Sequence, residues 1–152
     1  MFDRQRNVLA LVAIVCILTS LTAQAQEWRL LGEMSSPRAL PRVAQLNDEE
    51  VLVAGGVGPT ASCEIINVQT GTIRETASMT IPRAYFAMVT APDGRVIALS
   101  GWKQGSYTLD ASIEAYDPTQ EKWTRIGALR QARFQHTATM IDDHRILVVG
   151  GR

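Results

Sequence analysis

Residues 133–151 read RFQHTATMIDDHRILVVGG and contain the pattern that recurs along this chain. Two short apolar runs, 137–141 and 146–149, stand on either side of two aspartates. Aspartate favours turns, and short runs rich in β-branched and aliphatic residues favour strands. The second run ends in two glycines, Gly150 and Gly151. The stretch therefore predicts a β-hairpin that ends in a diglycine.

The same pattern occurs twice more upstream. Each of the three copies begins with an arginine that stands 18 residues before the second residue of the closing pair. The copies run from Arg38 to Gly55 and Gly56, from Arg83 to Ser100 and Gly101, and from Arg133 to Gly150 and Gly151. The shifts between copies are 45 and 50 residues. Self-similarity at such a period indicates a repeat protein.

Two further strands follow the hairpin in the first and second copies. They are predicted at 62–67 and 72–76, and at 112–117 and 122–126. The second copy is longer because of an insertion at 102–110, which is rich in turn-forming and polar residues and is predicted to be a surface loop. Continuous apolarity of the inner strands predicts that both faces of each sheet are covered. The fold class is therefore all-β, with four antiparallel strands in a complete copy.

Four strands every 45 to 50 residues, with a diglycine after the second, resemble the kelch repeat, one blade of a β-propeller. Six residues separate Tyr116 from Trp123, as in the kelch repeat, and Trp28 occupies the tryptophan position of a preceding copy. Ile66 and Ile73 take these places in the first full copy, a change that apolar packing can absorb. The signatures of WD40 repeats, which have a similar period, are absent from the sequence.

The resemblance implies a kelch-type β-propeller segment over residues 26–152. It places blades at 37–77 and 82–126 and a partial blade at 130–152, whereas closed rings have roughly four to eight blades. We therefore expect an incomplete ring of about two and a half blades. Three explanations stay open: a truncated chain, several copies that share one ring, and an open arc. Exposed blade faces favour self-association.

The first 25 residues have the organisation of a bacterial-type secretory signal peptide. Basic residues precede an apolar run at 8–18, and a small-x-small cleavage site lies at 23–25. The run is shorter than the roughly 20 residues of a membrane-spanning helix, and Cys16 lacks the small residues that precede a lipoprotein cysteine. We expect a secreted chain, periplasmic or extracellular, with no stable membrane anchor after cleavage. Cys63, the remaining cysteine, is predicted to be buried and inert.

Composition excludes several classes of function. The chain is 46% hydrophobic and 20% charged, which is ordinary for a globular protein and unlike a disordered one. Fifteen basic residues balance fifteen acidic residues. A neutral chain lacks the positive field that gathers nucleic acid, so we expect no nucleic-acid partner.

No catalytic motif, cofactor-binding motif or metal-ligand spacing appears in the sequence, and none of these sites is predicted. His136 is predicted to lie in the core or along a channel, and His144 in a solvated turn. The repeat signature is interpreted as structural, with the arginines making equivalent hydrogen bonds between neighbouring blades. Its members are Trp28, Arg38, Gly55, Gly56, Arg83, Gly101, Tyr116, Trp123, Arg133, Gly150 and Gly151.

The insertion supplies the candidate contact surface. Trp102, Lys103 and Tyr107 are predicted to bind a protein or carbohydrate ligand, because exposed aromatic side chains stack on sugar rings and anchor protein partners. The alternative is that Trp102 covers the edge of its own blade.

Two functional hypotheses follow. The first is a non-catalytic, secreted kelch-repeat module that binds protein or glycan. The second is the propeller part of a secreted carbohydrate-active enzyme whose catalytic residues lie elsewhere, because kelch propellers resemble the central domain of galactose oxidase and the sialic-acid epimerases. The residues needed for the copper site of such oxidases form no motif here, and fold alone does not give function.

Overall fold

The computed structural model describes residues 29–57, 60–103 and 108–152. The predicted signal peptide, Trp28 and Tyr107 lie outside the described residues. The described residues form β-strands joined by turns and loops, and they contain no helix. In particular, none of them belongs to a helix long and apolar enough to cross a membrane. The predicted all-β class is confirmed.

The first copy folds into a four-stranded antiparallel sheet, sheet 1, in the order β1-β2-β3-β4. Asparagine side chains shape its turns, because Asn47 Oδ1 accepts the N–H groups of Glu49 and Glu50 at 2.9 Å each. Asn67 Oδ1 accepts that of Thr70 at 2.9 Å in the turn before the last strand. The strands are β1 (Arg42–Gln45), β2 (Glu50–Ala54), β3 (Cys63–Asn67) and β4 (Ile73–Thr76).

The second copy forms an equivalent sheet, sheet 2, in the order β11-β10-β7-β6, and a three-stranded small sheet in the order β5-β8-β9. The insertion at 102–110 was predicted to be a surface loop, but its described ends pair as the strands β8 and β9. Pairing of β8 with β5 satisfies main-chain groups that a loop would leave to water. The strands are β5 (Arg83–Ala84), β6 (Ala87–Thr90), β7 (Val96–Leu99), β8 (Trp102–Lys103), β9 (Thr108–Leu109), β10 (Ser112–Asp117) and β11 (Lys122–Ala128).

The third copy contributes the hairpin predicted from the opening stretch. Its strands are β12 (His136–Met140) and β13 (Ile146–Gly150), which pair antiparallel and are called sheet 3. Two four-stranded antiparallel sheets, with no helix among the described residues, are consistent with part of a β-propeller.

The main apolar core lies between sheet 1 and sheet 2. Leu52 and Ala54 of β2 pack with Phe86 and Tyr116 of the second copy, and all four are fully buried. The Tyr116 hydroxyl lies 2.6 Å from Thr76 Oγ1, at the end of sheet 1. A second, smaller cluster joins sheet 2 to sheet 3, where Ala138, Ile146 and Val148 pack on Ile97 and Leu99. Each sheet therefore packs on the sheet of the next copy.

Tyr116 and Trp123 form an aromatic pair on neighbouring strands of sheet 2, and each also contacts the end of sheet 1. Their ring centroids are 5.2 Å apart. Trp123 Nε1 donates a hydrogen bond to the Ala77 carbonyl at 3.1 Å. An aromatic pair in such a tilted arrangement adds attraction beyond the apolar area that it buries. The two residues on which the kelch resemblance rests therefore hold sheet 2 against the end of sheet 1.

The diglycine position is sterically demanding. Gly101 has φ +112°, and a Cβ there would lie 2.6 Å from Phe86 Cβ and 2.9 Å from the Ala84 carbonyl oxygen. Gly56 has φ +118°, and a Cβ there would lie 2.7 Å from the Ala39 carbonyl oxygen. Positive φ combined with close main-chain approach requires glycine at the second position of the pair.

Ser100 takes the first position of the pair in the second copy, with φ 53°. It is fully buried, and its hydroxyl lies 2.7 Å from the Asp110 carbonyl oxygen. The same hydroxyl accepts the N–H of Arg133 at 2.9 Å. These bonds tie the insertion and the third copy to the end of β7, which offsets the strain of a left-handed serine.

Candidate functional site

An aromatic cavity of about 410 Å³ opens where the small sheet meets the start of the third copy. The rings of Tyr85 and Trp102 have centroids 5.9 Å apart, and those of Tyr85 and Phe134 have centroids 6.2 Å apart. All three side chains are half-buried, so each ring packs on a neighbour and keeps an accessible part. The residues that line the cavity are Tyr85, Trp102, Leu109, Phe134 and Gln135.

Left-handed backbone positions Tyr85 and Gln135 at this cavity. Their φ values are 54° and 57°, and both residues stand two positions after a repeat arginine. Leu40 occupies that position in the first copy, with φ 53°. The N–H of Gln135 donates to the Tyr85 carbonyl at 2.9 Å, so the two left-handed residues are joined directly. Non-glycine residues seldom adopt this conformation, which costs about 1–3 kcal/mol and persists only where surrounding contacts enforce it.

The small sheet holds Trp102 in place. Trp102 of β8 is paired with Ala84 of β5 and with Leu109 of β9, and residues paired across strands share a face. The Trp102 and Leu109 side chains therefore both reach the cavity. Lys103 follows Trp102 in the strand, and its exposed side chain lies on the opposite face. Of the predicted contact residues, Trp102 lines the cavity, Lys103 does not, and Tyr107 is outside the described residues.

Phe134 is fixed by Arg152. Main-chain hydrogen bonds join the two residues in both directions, at 3.0 and 3.2 Å. The Arg152 guanidinium carbon lies 5.6 Å from the centre of the Phe134 ring, a cation–π distance. A positive charge therefore stands beside the aromatic cavity.

The repeat arginines form a separate, structural network. Arg83 is fully buried and donates to the Ser112 hydroxyl at 2.6 Å and to Glu114 Oε1 at 2.5 Å. Arg38 donates to the Ser62 hydroxyl at 2.9 Å and to Glu64 Oε1 at 2.8 Å. A charge removed from water must be paired and hydrogen-bonded, and in the first and second copies a serine and a glutamate at the third strand supply these partners.

The arginine side chains do not make the hydrogen bonds between neighbouring blades that we expected. The guanidinium groups of Arg38 and Arg83 turn back to the third strand of their own sheets, because that strand carries the carboxylate, and that of Arg133 donates to Gly150 of its own copy. The main chain makes the contacts between copies instead. The Gly56 N–H donates to the Arg83 carbonyl at 3.0 Å, and the Gly101 N–H donates to the Arg133 carbonyl at 3.0 Å.

Cys63 and His136 are both buried. Burial raises the pKa of the Cys63 thiol to about 11, which leaves it protonated and unreactive at neutral pH. Burial, followed by the positive charge of Arg133, lowers the pKa of His136, and the nearby main chain of Leu99 offsets part of this effect. His136 is therefore favoured as a neutral ring in the folded protein.

The acidic turn around His144 is occupied by local bonds. Asp142 accepts the His144 N–H at 2.9 Å and the Arg145 Nε–H at 2.5 Å. Among the described residues, no group of three or more His, Cys, Asp or Glu side chains is arranged to hold a metal ion.

Tyr85, Leu109, Phe134 and Gln135 were not identified from the sequence as contact residues. The available signal was their position relative to the repeat arginines. Phe134 is the next residue after Arg133, and Tyr85 and Gln135 stand at the same position of two successive copies. Their left-handed backbone leaves no mark in residue type, because tyrosine and glutamine are uncommon there.

Comparison with known proteins adds two distant relatives. F-box protein AFR of Arabidopsis thaliana is 24% identical over 118 residues, which cover 78% of this chain and 32% of the relative. Alpha-scruin of Limulus polyphemus is 27% identical over 135 residues, which cover 82% of this chain and 14% of the relative. No protein-family model matches the chain.

The chain spans less than a third of the length of either curated relative. The four-stranded sheets agree with a protein of the β-propeller class. More particularly, the two distant relatives indicate kelch-like repeats.

Proposed function

We propose that this chain is part of a secreted kelch-type β-propeller that works as a non-catalytic protein-binding module. The aromatic cavity at Tyr85, Trp102 and Phe134 carries this proposal. Its three rings are half-buried, and the small sheet and two strained residues hold them in place. Such a group of aromatic side chains has the composition of a protein-binding hot spot. The distant kelch-repeat relatives support a role in protein interaction.

We also propose that a further repeat sheet covers the outer face of sheet 3. Leu147 and Val149 are 47% and 53% exposed on that face. The equivalent residues of sheet 1, Leu52 and Ala54, are fully buried under sheet 2. Exposed aliphatic side chains at positions that are otherwise buried favour a partner sheet of the same kind, from the same ring or from another copy.

Site-specific crosslinking tests the binding function. A photo-reactive amino acid replaces Leu109 at the cavity or, as the matched control, Thr124 on the exposed side of β11. We expect a defined protein adduct from Leu109 alone, reproduced with the purified partner and lost when Trp102→Ala is added. Equal adducts from both positions would contradict the proposal.

Secretion is tested separately. We expect the chain expressed with its first 25 residues to appear outside the cytoplasm with Gln26 at its N-terminus, as measured by mass spectrometry. An uncleaved N-terminus in the cytoplasmic fraction would show that the signal-peptide prediction is wrong. It would not affect the binding proposal.

A further inference from the structure

We propose that the aromatic cavity binds an extended acidic peptide segment of a partner protein, with one apolar side chain of the peptide inserted between the rings. This inference rests on the proposed binding function and names the chemistry of the ligand.

The lining favours an apolar anchor. Among the described residues, four of the five lining side chains, those of Tyr85, Trp102, Leu109 and Phe134, are rich in carbon, and Gln135 supplies a carboxamide. A sugar ring in this space would bury several hydroxyl groups with few partners, and each unsatisfied hydroxyl costs free energy. An aliphatic or proline side chain buries apolar area without that cost. The cavity volume of about 410 Å³ is at the small end of ligand pockets and suits a short segment.

The polar group at the rim suits a peptide main chain. Gln135 is exposed, and its backbone is held by its hydrogen bond to the Tyr85 carbonyl. A carboxamide donates and accepts hydrogen bonds, so it can pair with both groups of one peptide unit. An extended segment presents such units at regular spacing beside its side chains.

The charge beside the cavity favours acidic residues next to the anchor. The Arg152 guanidinium carbon lies 5.6 Å from the centre of the Phe134 ring, at the edge of the cavity. None of the lining residues found in the described chain is acidic. Asp110, the acid at the base of the small sheet, already accepts the Ser112 N–H at 2.7 Å and lies 3.7 Å from Arg83. Glutamate or aspartate on the ligand would therefore meet the positive charge of Arg152.

Short synthetic peptides labelled with fluorescein test this assignment on the full chain by anisotropy. Each peptide has Leu, Pro or Ser at its centre, flanked on both sides by Glu or by Lys. We expect the Glu-flanked Leu and Pro peptides to bind, and the Ser-centred and Lys-flanked peptides to bind at least about tenfold more weakly. Added salt should weaken the Glu-flanked complexes, because screening acts on charges near the surface.

Variants separate cavity binding from general loss of structure. Trp102→Ala should weaken binding by about tenfold or more, whereas Thr124→Ala, on the exposed side of β11, should leave it unchanged. Because Trp102→Ala can disturb the small sheet, Arg152→Glu provides a second test that changes the charge of an exposed residue. It should reverse the preference from Glu-flanked to Lys-flanked peptides.

Three results would overturn the assignment: no binding of any peptide up to about 1 mM, binding that is insensitive to both Trp102→Ala and Arg152→Glu, or binding of neutral oligosaccharides in place of peptides. A Leu109 crosslink to a partner protein in any of these cases would show that the ligand chemistry is wrong and the binding function is right.

Discussion

Arg83 and Arg133 occupy the same position of two successive copies and have different surroundings. Arg83 is fully buried, and its guanidinium donates to Ser100, Ser112 and Glu114. The Arg133 guanidinium donates to the Gly150 carbonyl at 2.8 Å in an exposed setting. Both arginines begin the same motif, and Ser112 and Glu114 come from a third strand. The repeat motif alone therefore places the arginine, and the third strand buries and neutralises it.

The largest effect is expected from removing the carboxylate of the buried pair. Glu114→Ala should lower the free energy of unfolding by about 4 kcal/mol, because Arg83 would stay buried without its counter-charge. Glu121→Ala is the matched control, since Glu121 pairs with Arg74 while both side chains are about two-fifths exposed. It should cost about 0.5 kcal/mol. Urea denaturation measures both, and equal losses would contradict the role given to burial.

The next largest loss of stability is expected from substitution of Gly55, the first glycine of the diglycine in the first copy. A Cβ at Gly55 would lie 2.7 Å from the Arg83 carbonyl oxygen and 2.9 Å from Phe86, whereas one at Gly150 meets nothing within 4 Å. Gly55→Ala should cost about 3 kcal/mol, and Gly150→Ala, which meets only the left-handed backbone, about 1 kcal/mol. Thermal denaturation measures both losses. If both variants lower the melting temperature equally, the requirement for glycine at position 55 does not come from the contact between sheets 1 and 2.

The free energy of unfolding should depend on pH through His136, which lies in sheet 3. The pKa of His136 is lowered from its ordinary value of 6.5, so the unfolded chain binds the proton more readily. Stability should therefore fall as pH drops below about 6.5 and level off below the folded-state pKa. Arg133 and Arg42 are the charged groups that disfavour the protonated ring.

His136→Phe is the control for this pH dependence, because Phe86 fills the equivalent position of the second copy. It should flatten the stability profile between pH 5 and 7, a range set by the ordinary histidine pKa. Urea midpoints at several pH values provide the measurement. An unchanged slope in the variant would assign the pH dependence to another group.

The smallest effect is expected at Arg133 itself. Arg133→Ala removes one exposed hydrogen bond and should cost less than about 1 kcal/mol. Arg83→Ala, in contrast, leaves Glu114 buried without its cation and should approach the cost of Glu114→Ala. Similar losses for the two arginines would mean that Arg133, like Arg83, is buried and paired in solution.

The strands of the three copies could be predicted because their signals are local. Short apolar runs, Asn and Asp turns and paired glycines each act within a few residues of the structure they specify. The strand β8 of the insertion was missed because it pairs with Arg83 and Ala84, which lie far from it in sequence. The direction of the arginine side chains was missed for the same reason, since Glu64 and Glu114 are distant from their arginines along the chain.

The candidate site could be predicted only in part. Trp102 was found because an aromatic residue in a polar insertion is conspicuous. Phe134 and Gln135 belong to the next copy, so their meeting with Trp102 depends on how successive copies pack. No pattern within one copy contains that information.

The buried arginine pairs also bear on the order in which the chain folds. Glu64 lies 26 residues after Arg38, and Glu114 lies 31 residues after Arg83, so each pair closes inside its own copy. Each ion pair can therefore form without the residues of a later copy. During synthesis, each copy can neutralise its arginine as soon as its own third strand has emerged. Each copy added during synthesis would then contribute one cooperative folding unit.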